Sequence, residues 1–275
     1  MGSLFSPALA VFALAVILVP PAFGADAKAA PSGLKEAVRQ LLRENPDIVL
    51  EVLRDNSVTV LEIAQQGAQT QQHQAMLAQW KHDLTLSKTV DMNRPVRGNA
   101  GAPVAIVAYS DYTCPYCSQT AQTVDQLLAS RKDDVYFLFK HFPLKGHAQA
   151  RLASEYAAAA FILDEAKGWE FHDALFANQE RLAKEGEGFL RATALAVGLN
   201  LQKLASEAKG RKVKAIIDED MAEGAALGVK GTPYHLVNKL GIRGAVPFRY
   251  FAEALDIALK NKDSALTDGR SAVSE

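Results

Sequence analysis

Two cysteines, Cys114 and Cys117, are the only ones in the chain, and the motif that they form is Cys-Pro-Tyr-Cys. The apolar run 104–109 before them is typical of a buried strand, and residues 118–131 after them predict a helix. A Cys-x-x-Cys pair between a strand and a helix is the arrangement of thiol–disulfide exchange sites. We therefore predict a redox-active pair.

The position of the motif at a helix start assigns different roles to the two cysteines. The N-terminus of a helix presents unpaired N–H groups and a partial positive charge, which stabilise a thiolate at Cys114. Pro115 suits the first helical position because its φ is already helical. We predict that Cys114 is the attacking sulfur and that Cys117, one turn further along, is the resolving one.

Two alternatives compete with redox chemistry. A disulfide between Cys114 and Cys117 closes a loop too short to constrain the unfolded chain much, which argues against a purely structural bond. A structural zinc site needs four ligands, and the sequence has no second Cys-x-x-Cys and no His-x-x-x-His. His141 and His147 become ligands only if the fold brings them together. We predict no metal and no cofactor.

The N-terminus resembles a secretory signal. An uncharged apolar run at residues 8–19 precedes Pro20 and a small-residue segment, with cleavage expected after Gly24. The segment lacks the usual Lys or Arg at its start, and an uncleaved anchor is the alternative, although the run is shorter than the ~20 residues of a membrane span. We predict export to a bacterial periplasm.

Composition excludes some partners. The formal net charge is −1 at pH 7, so there is no electrostatic argument for nucleic acid or an anionic membrane surface. An exported protein of this size with so few cysteines does not depend on disulfides for stability, which favours a functional role for the pair that it keeps.

Periodicity divides the mature chain into three parts. Residues 25–92 predict a helical extension whose apolar stripes suggest association with copies of itself or with the next domain; a solvated linker helix is the alternative. Asn45 can cap a helix that begins at Pro46. Residues 93–262 contain strands at 135–142 and 234–237, a helical block at about 147–228 and a last helix from 247 to about 259. Residues 263–275 are polar and predict a disordered tail.

Three motifs together resemble the DsbA-like family of exported thiol oxidoreductases. They are Ser110-Asp111-Tyr112-Thr113-Cys114-Pro115-Tyr116-Cys117, Lys140-His141-Phe142-Pro143-Leu144 and Gly231-Thr232-Pro233. The resemblance covers residues 98–259 and implies an α/β class: a thioredoxin fold with an inserted helical domain. The N-terminal all-helical extension makes the layout similar to the oligomeric ScsC-like members.

The resemblance also implies an active-site loop. The Thr232–Pro233 bond is expected to be cis and to face the cysteines, so that backbone groups of Thr232 pair with an extended substrate, and Pro115 and Tyr116 complete this surface. An ordinary trans turn is the alternative. His235 follows two residues later, where strand alternation leaves its direction open.

The sequence departs from the family in two ways. Many relatives carry a buried acid in the strand before the motif, but residues 104–109 contain none, and Asp111 is the nearest carboxylate, either as a loop residue or as a helix-terminus charge. Tyr116 stands where DsbA itself has a histidine and cannot supply a positive charge, so we expect a less extreme oxidant. His141 is expected to pack or cap, His147 to cap a helix and His172 to be structural.

The predicted function is a protein disulfide isomerase or reductase. Its expected partners are protein substrates with cysteines or disulfides, a membrane redox partner and further copies of itself, as a dimer or a trimer. One alternative is a dithiol oxidase of the DsbA type. Another, from a different class, is a periplasmic protein that binds Cu(I), which soft thiolates select.

Overall fold

The computed structural model describes residues 33–269, so the predicted signal peptide at residues 1–24 lies outside the described residues. The helices are α1 (Leu34–Glu44), α2 (Pro46–Asp55), α3 (Ser57–Asp83), α4 (Pro115–Ser130), α5 (Ala150–Leu163), α6 (Glu165–Ala177), α7 (Gln179–Glu185), α8 (Glu187–Ala196), α9 (Leu201–Ala208), α10 (Arg211–Ala226) and α11 (Phe248–Lys260). The strands are β1 (Thr89–Val90), β2 (Val96–Gly98), β3 (Val104–Ser110), β4 (Val135–His141), β5 (Tyr234–Val237), β6 (Leu240–Arg243) and β7 (Thr267–Asp268). Among these residues, no helix combines the length and apolarity of a membrane span.

The described part of the chain divides into two compact units, with the boundary between Gln66 and Gly67. In the first unit, α1 and α2 contain no buried residue. Pro46 occupies the first turn of α2 as predicted, but the Asn45 side chain does not cap that helix and instead donates to the Leu41 carbonyl at 3.0 Å. The large apolar side chains exposed in this unit are Leu34, Val38, Leu41, Leu42, Ile48, Val49, Leu50, Val52, Leu53, Val58, Leu61 and Ile63.

The second unit is built on a five-stranded sheet with the order β2-β4-β3-β5-β6. The central pair, β3 and β4, is parallel, and the other pairs are antiparallel. All seven residues of β3 are buried. Because side chains alternate along a strand, Ile106 and Ala108 pack into one apolar cluster while Val107 and Tyr109 pack into the other. This sheet with its flanking helices confirms the predicted thioredoxin fold.

Helices α5 to α10 form the inserted helical region between β4 and β5. It lies within the predicted block at 147–228. The hairpin between β5 and β6 has a two-residue turn, Asn238 and Lys239, because β5 ends at Val237 and β6 begins at Leu240. Asn238 supplies the left-handed φ of 47° that such a turn uses.

The compact second unit begins at Gly67, within α3, so the end of this helix belongs to it. Trp80, near the end of α3, is 1% exposed and donates its indole N–H to the Gly241 carbonyl at 2.8 Å. Asp83 pairs with Lys88 at 2.8 Å and accepts from the Gly241 N–H at 2.9 Å. These contacts join the last turn of α3 to β6 across a long sequence separation, which local patterns cannot show.

The predicted disordered tail is wrong for residues 263–269. Thr267 and Asp268 form β7, which pairs in parallel with β1, and Ser264 is buried. The Ser264 hydroxyl donates to the Ala258 carbonyl at 2.9 Å and accepts from the Asn238 amide at 3.2 Å. Hydrogen bonds to distant residues therefore order a segment whose composition is polar. Residues 270–275 of the predicted tail lie outside the described residues.

A buried charge cluster joins the sheet to α10. Lys140 on β4 lies 3.3 Å from Asp220 and 3.0 Å from Glu223. Arg94 lies 2.9 Å from Asp220, and the backbone N–H of His141 donates to the same carboxylate at 2.9 Å. Lys140 and Asp220 are at most 1% exposed, so each charge depends on the others for compensation.

Replacement of Asp220 by Ala is expected to lower the free energy of unfolding by about 3 to 5 kcal/mol, because it leaves Lys140 buried without this partner. The matched control is Asp218→Ala on the same helix. The Asp218 side chain is 44% exposed in its pair with Arg151, and its loss is expected to cost about 1 kcal/mol or less. Urea unfolding followed by circular dichroism measures the free energy of unfolding of both variants. Equal losses would contradict the role of Asp220 as a partner that compensates the buried Lys140 charge.

Candidate active site

The two cysteines lie at the start of α4, directly beyond the carboxyl end of β3. Cys114 is the N-cap residue, with an extended backbone, and Pro115 occupies the first turn as predicted. The helix thus begins at Pro115, the residue predicted for its first position. The N–H groups of Cys117 and Ser118 donate to the Cys114 carbonyl at 3.0 and 3.3 Å. The local sequence therefore places one thiol at the helix terminus and the other inside its first turn.

Asp111 organises the loop between β3 and α4. One carboxylate oxygen accepts from the backbone N–H and the hydroxyl of Thr113, at 2.8 and 2.7 Å. The other accepts from the Leu144 N–H at 3.0 Å and is 2.8 Å from His147 Nδ1. Asp111 is fully buried, and its backbone carbonyl also accepts from the Cys114 N–H at 3.1 Å. Asp111 is thus a loop residue, one of the two roles considered for it.

Residues of the helical insert fix the same loop. The amide of Gln179 donates to the carbonyls of Tyr112 and Cys114, at 2.8 and 2.9 Å. The Tyr112 hydroxyl is 2.9 Å from His172 Nδ1, and its ring stacks on Phe139 with centroids 4.9 Å apart. Sequence reasoning missed Gln179 and the Tyr112–His172 pair because the partners lie about sixty residues apart and carry no shared motif.

The loop before β5 lies against Cys114. The Thr232–Pro233 peptide bond is cis, as the family resemblance implied. The Cys114 thiol donates to the Thr232 carbonyl at an Sγ–O distance of 3.6 Å. A surface cavity of about 500 Å³ runs along this loop, lined by Gly228, Lys230, Gly231, Thr232, Pro233, Tyr234, Arg243 and Gly244. Tyr116, between the cysteines, is 63% exposed.

The two thiols differ sharply in acidity. The pKa of Cys114 is lowered to about 6, first by the hydrogen bond from the Cys117 thiol and then by backbone N–H groups and Thr232, against the opposing effect of burial. The pKa of Cys117 is raised, first by burial and then by its hydrogen bond to Cys114. Both cysteines are free thiols. At neutral pH the site therefore holds a Cys114 thiolate beside a Cys117 thiol.

The histidines divide into two groups. His141, His172 and His235 are buried, and burial lowers the pKa of each, so that the imidazoles are neutral. His172 is structural and His141 packs within β4, as expected. His147 does not cap a helix as predicted, because α5 begins only at Ala150 and the imidazole pairs instead with Asp111.

His235 points inward from β5 and lines a small cavity together with Cys117. Strand alternation left this direction open, and in the structure the side chain lies on the same side of the sheet as Cys117. Throughout residues 33–269, no group of three or more His, Cys, Asp or Glu side chains is arranged to hold a metal ion.

The sheet and the two thiols at a helix N-terminus are those of a thioredoxin-type protein. Comparison with known proteins gives the same class. The family model described as Thioredoxin matches residues 90–257. The chain therefore belongs to the thioredoxin family, and its architecture is DsbA-like.

Solved structures show the same architecture. A thioredoxin-like oxidoreductase from Silicibacter pomeroyi is 30% identical with a TM-score of 0.54, over 62% of this chain and 94% of that one. BdbD from Bacillus subtilis is 23% identical with a TM-score of 0.58, over 63% and 97%. ScsC from Proteus mirabilis is 19% identical with a TM-score of 0.54, over 82% and 95%. At such identities the last two show the fold alone.

The curated relatives are longer proteins. The Na(+)/H(+) antiporter NhaA 3 of Salinispora tropica is 34% identical over 187 residues, which are 67% of this chain and 27% of that protein. NhaA 1 of Mycolicibacterium gilvum is 30% identical over 165 residues, 58% of this chain and 26% of that protein. The chain spans about a quarter of the length of these relatives, and the antiport in their names is a property of those whole proteins.

The alkylation rate of Cys114 is expected to rise with pH, to be half-maximal near pH 6 and to be constant above it, because the thiolate is the reactive form. Since Cys117 provides the largest stabilisation, Cys117→Ala is expected to raise the Cys114 pKa and Cys117→Ser to raise it less. Iodoacetamide labelling of the reduced chain between roughly pH 4 and pH 9 measures this, with Cys114→Ser as the control. An unchanged midpoint in Cys117→Ala would contradict the assigned cause.

Proposed function

We propose that this protein is a thiol:disulfide oxidoreductase acting on protein disulfides, with Cys114 as the nucleophile and Cys117 as the resolving thiol. The opposite pKa shifts of the two thiols carry the proposal. A nucleophile must be ionised at neutral pH, whereas a resolving thiol must stay protonated until the mixed disulfide has formed. The oxidoreductase name of the Silicibacter pomeroyi neighbour supports the same activity.

The reaction has two exchange steps. The Cys114 thiolate attacks one sulfur of a substrate disulfide, forms a mixed disulfide and releases the other substrate sulfur as a thiolate, which takes up a proton. Cys117 then loses its proton and attacks Cys114 Sγ, which releases the second substrate thiolate. The enzyme dithiol is oxidised to a disulfide as the substrate disulfide is reduced to two thiols. In isomerisation, a substrate thiol resolves the mixed disulfide instead, and the enzyme remains reduced.

The substrate is proposed to bind as an extended segment along the Thr232–Pro233 loop. The adjacent cavity of about 500 Å³ is open along this loop and lies where backbone groups can pair with an added strand. The exposed ring of Tyr116 and the ring of Pro115 are proposed to form the opposite side of this surface. The Thr232 carbonyl oxygen is 3.6 Å from Cys114 Sγ, so a segment bound there lies beside the reactive sulfur.

We favour isomerase or reductase activity over oxidase activity because of the first unit. Its exposed apolar side chains are numerous, and burial of each Leu, Ile or Val is worth roughly 1.5 to 3 kcal/mol. We propose that this surface joins copies of the chain into a homo-oligomer. Several active sites around one cleft then engage misfolded substrates, and the assembly is shielded from the membrane partner of an oxidase.

The cellular setting follows from the same proposal. An isomerase must rest as the dithiol, so it requires a membrane redox partner that supplies electrons to the Cys114–Cys117 disulfide. Export to the periplasm, where substrate disulfides form, is consistent with the predicted signal at residues 1–24. A fold neighbour from Salmonella enterica is described as a periplasmic thioredoxin-like protein.

The reduced mature chain is expected to restore activity to ribonuclease whose disulfides have been scrambled. Cys114→Ser is expected to lower the recovery rate by at least about 10²-fold, because the nucleophile is lost. The variant replaces only the sulfur atom by oxygen, and its circular dichroism spectrum provides the folding control.

Other outcomes of this assay separate the alternatives. Oxidation of reduced ribonuclease by the disulfide form, without recovery of the scrambled protein, would establish an oxidase and overturn the isomerase proposal. Failure in both assays, with stoichiometric Cu(I) retained by the reduced chain but not by Cys114→Ser, would establish the copper-binding alternative.

Val52→Glu is expected to dissociate the homo-oligomer, because Val52 is 57% exposed within the apolar surface of the first unit and a carboxylate in a packed interface is strongly unfavourable. The matched control is Glu51→Lys, at a neighbouring polar position of α2. Light scattering on a sizing column gives the mass of each variant. A monomeric parent chain, or equal masses for all three proteins, would contradict self-association through this surface.

A further inference from the structure

The cavity behind Cys117 is lined by residues of β3, β4, β5, α4 and α6. Its polar lining consists of Ser110, Cys117, Thr120, Asp125, His172 and His235. The volume is about 10 Å³, which is room for about one water molecule. A resolving thiol and a buried imidazole therefore share a polar space of the size of a single water.

Most polar groups of this lining are already engaged. The Thr120 hydroxyl is 3.1 Å from the carbonyl oxygens of Tyr116 and Cys117. Asp125 pairs with Arg97 at 3.1 Å, and His172 Nδ1 is held by the Tyr112 hydroxyl. Each of these three side chains thus already has a partner of its own.

His235 differs from these groups. Its Nδ1 is buried and has no hydrogen-bond partner. The residue is 2% exposed, and its ring is held edge-on against Phe251 with the centroids 5.0 Å apart. Among the described residues, it is the only side chain of this cavity that has a buried polar atom without a partner. A buried nitrogen without a partner is costly and calls for an explanation.

Cys117 requires a proton acceptor, and His235 has an unpartnered nitrogen and lines the same cavity. Burial raises the pKa of Cys117, so its thiol does not ionise by itself at neutral pH. The strand before the motif has no acid, and the Asp111 carboxylate already accepts from Thr113, Leu144 and His147. An acceptor for the Cys117 proton must therefore come from another element.

We propose that His235 Nδ1 accepts the proton of Cys117, through one water in the shared cavity, as the mixed disulfide is resolved. This inference rests on the proposed function, since it presupposes the mixed disulfide on Cys114. As the proton moves to His235, Cys117 Sγ attacks Cys114 Sγ, the Cys114–Cys117 bond forms and the bond to the substrate sulfur breaks. The leaving thiolate takes up a proton from solvent, His235 returns its proton to solvent, and two electrons pass from the cysteines to the substrate.

The charge balance around His235 is consistent with this role. Cys117 and Asp125 on α4 and His172 on α6 are the titratable groups that line the cavity. Burial alone lowers the pKa of His235 to about 3, so the imidazole is neutral and able to accept at physiological pH. The imidazolium that forms lies beside the developing Cys117 thiolate, and each charge stabilises the other.

Mixing the reduced full chain with dithiobis(nitrobenzoate) tests the proposal, because the two exchange steps release chromophore separately. The first phase, attack by Cys114, depends on reagent concentration, and the second, resolution by Cys117, does not. His235→Asn is expected to slow the second phase about 10²-fold at neutral pH, the lower end of general-base catalysis, and to leave the first phase nearly unchanged.

The pH profile separates proton transfer from a structural role. In the parent chain the second phase is expected to change little between roughly pH 6 and pH 8, because His235 is already neutral. In His235→Asn the proton must leave to hydroxide, so the rate is expected to rise about tenfold per pH unit. A variant that is slower by a constant factor at every pH would assign His235 a packing role and overturn the proposal.

His141→Asn is the matched control. His141 is also a buried strand histidine with an unpartnered Nδ1 and a pKa lowered to about 3, but it lines a different cavity. The second phase of the His141→Asn variant is expected to match that of the parent chain. His235→Phe, which retains packing on Phe251, replaces the Asn variant if that one unfolds.

The same experiment distinguishes the two levels of inference. Absence of the first phase, or a second phase that persists in Cys117→Ser, would overturn the proposed function itself. A normal first phase with a second phase unaffected by both His235 substitutions would overturn only the role of His235.

Discussion

A single carboxylate holds the active-site loop in place. Asp111 is fully buried and accepts from two donors on Thr113 and from donors on Leu144 and His147. An ionised carboxylate offers about four lone-pair sites, so this one is saturated. Its bonds tie the loop that ends β3 to the loop that ends β4, and thereby fix where α4 begins. The position of Cys114 at a helix N-cap depends on this arrangement.

The saturation of Asp111 has a chemical consequence. All four hydrogen bonds to this carboxylate hold the loop, although Asp111 is the acid nearest to the cysteines in sequence. Loop geometry and proton transfer are thus divided between residues. Asp111 holds the loop between β3 and α4. His235, on the strand that follows the Thr232–Pro233 loop, lines the cavity behind Cys117.

Short-range patterns were sufficient for the centre of the fold. The run at 104–109, the Cys-Pro-Tyr-Cys motif and the strand at 135–142 were predictable because each element is specified by neighbouring residues. Strands β1, β2 and β7 were not, because they contain only two or three residues each and are fixed by partners far away in sequence. Gln179 was missed for the same reason, since only the folded insert brings its amide to the carbonyls of Tyr112 and Cys114. The direction of His235 required the register of β5, which a strand pattern without a solvent-exposed face does not reveal.

The source of Cys114 acidity bears on the direction of catalysis. Tyr116 carries no charge, and the thiolate is stabilised chiefly by the thiol of Cys117 and by backbone groups. Thiolate stabilisation favours the reduced form, and a site that lacks a cation between its cysteines obtains less of it than one that has such a charge. A Cys114 pKa of about 6 is also close to ambient pH, where a thiol combines a high thiolate fraction with high intrinsic nucleophilicity. The Cys117 contribution exists only while Cys114 is a thiolate, so it is lost as soon as Cys114 forms the mixed disulfide. Under the proposed function, these properties suit repeated attack and release at Cys114.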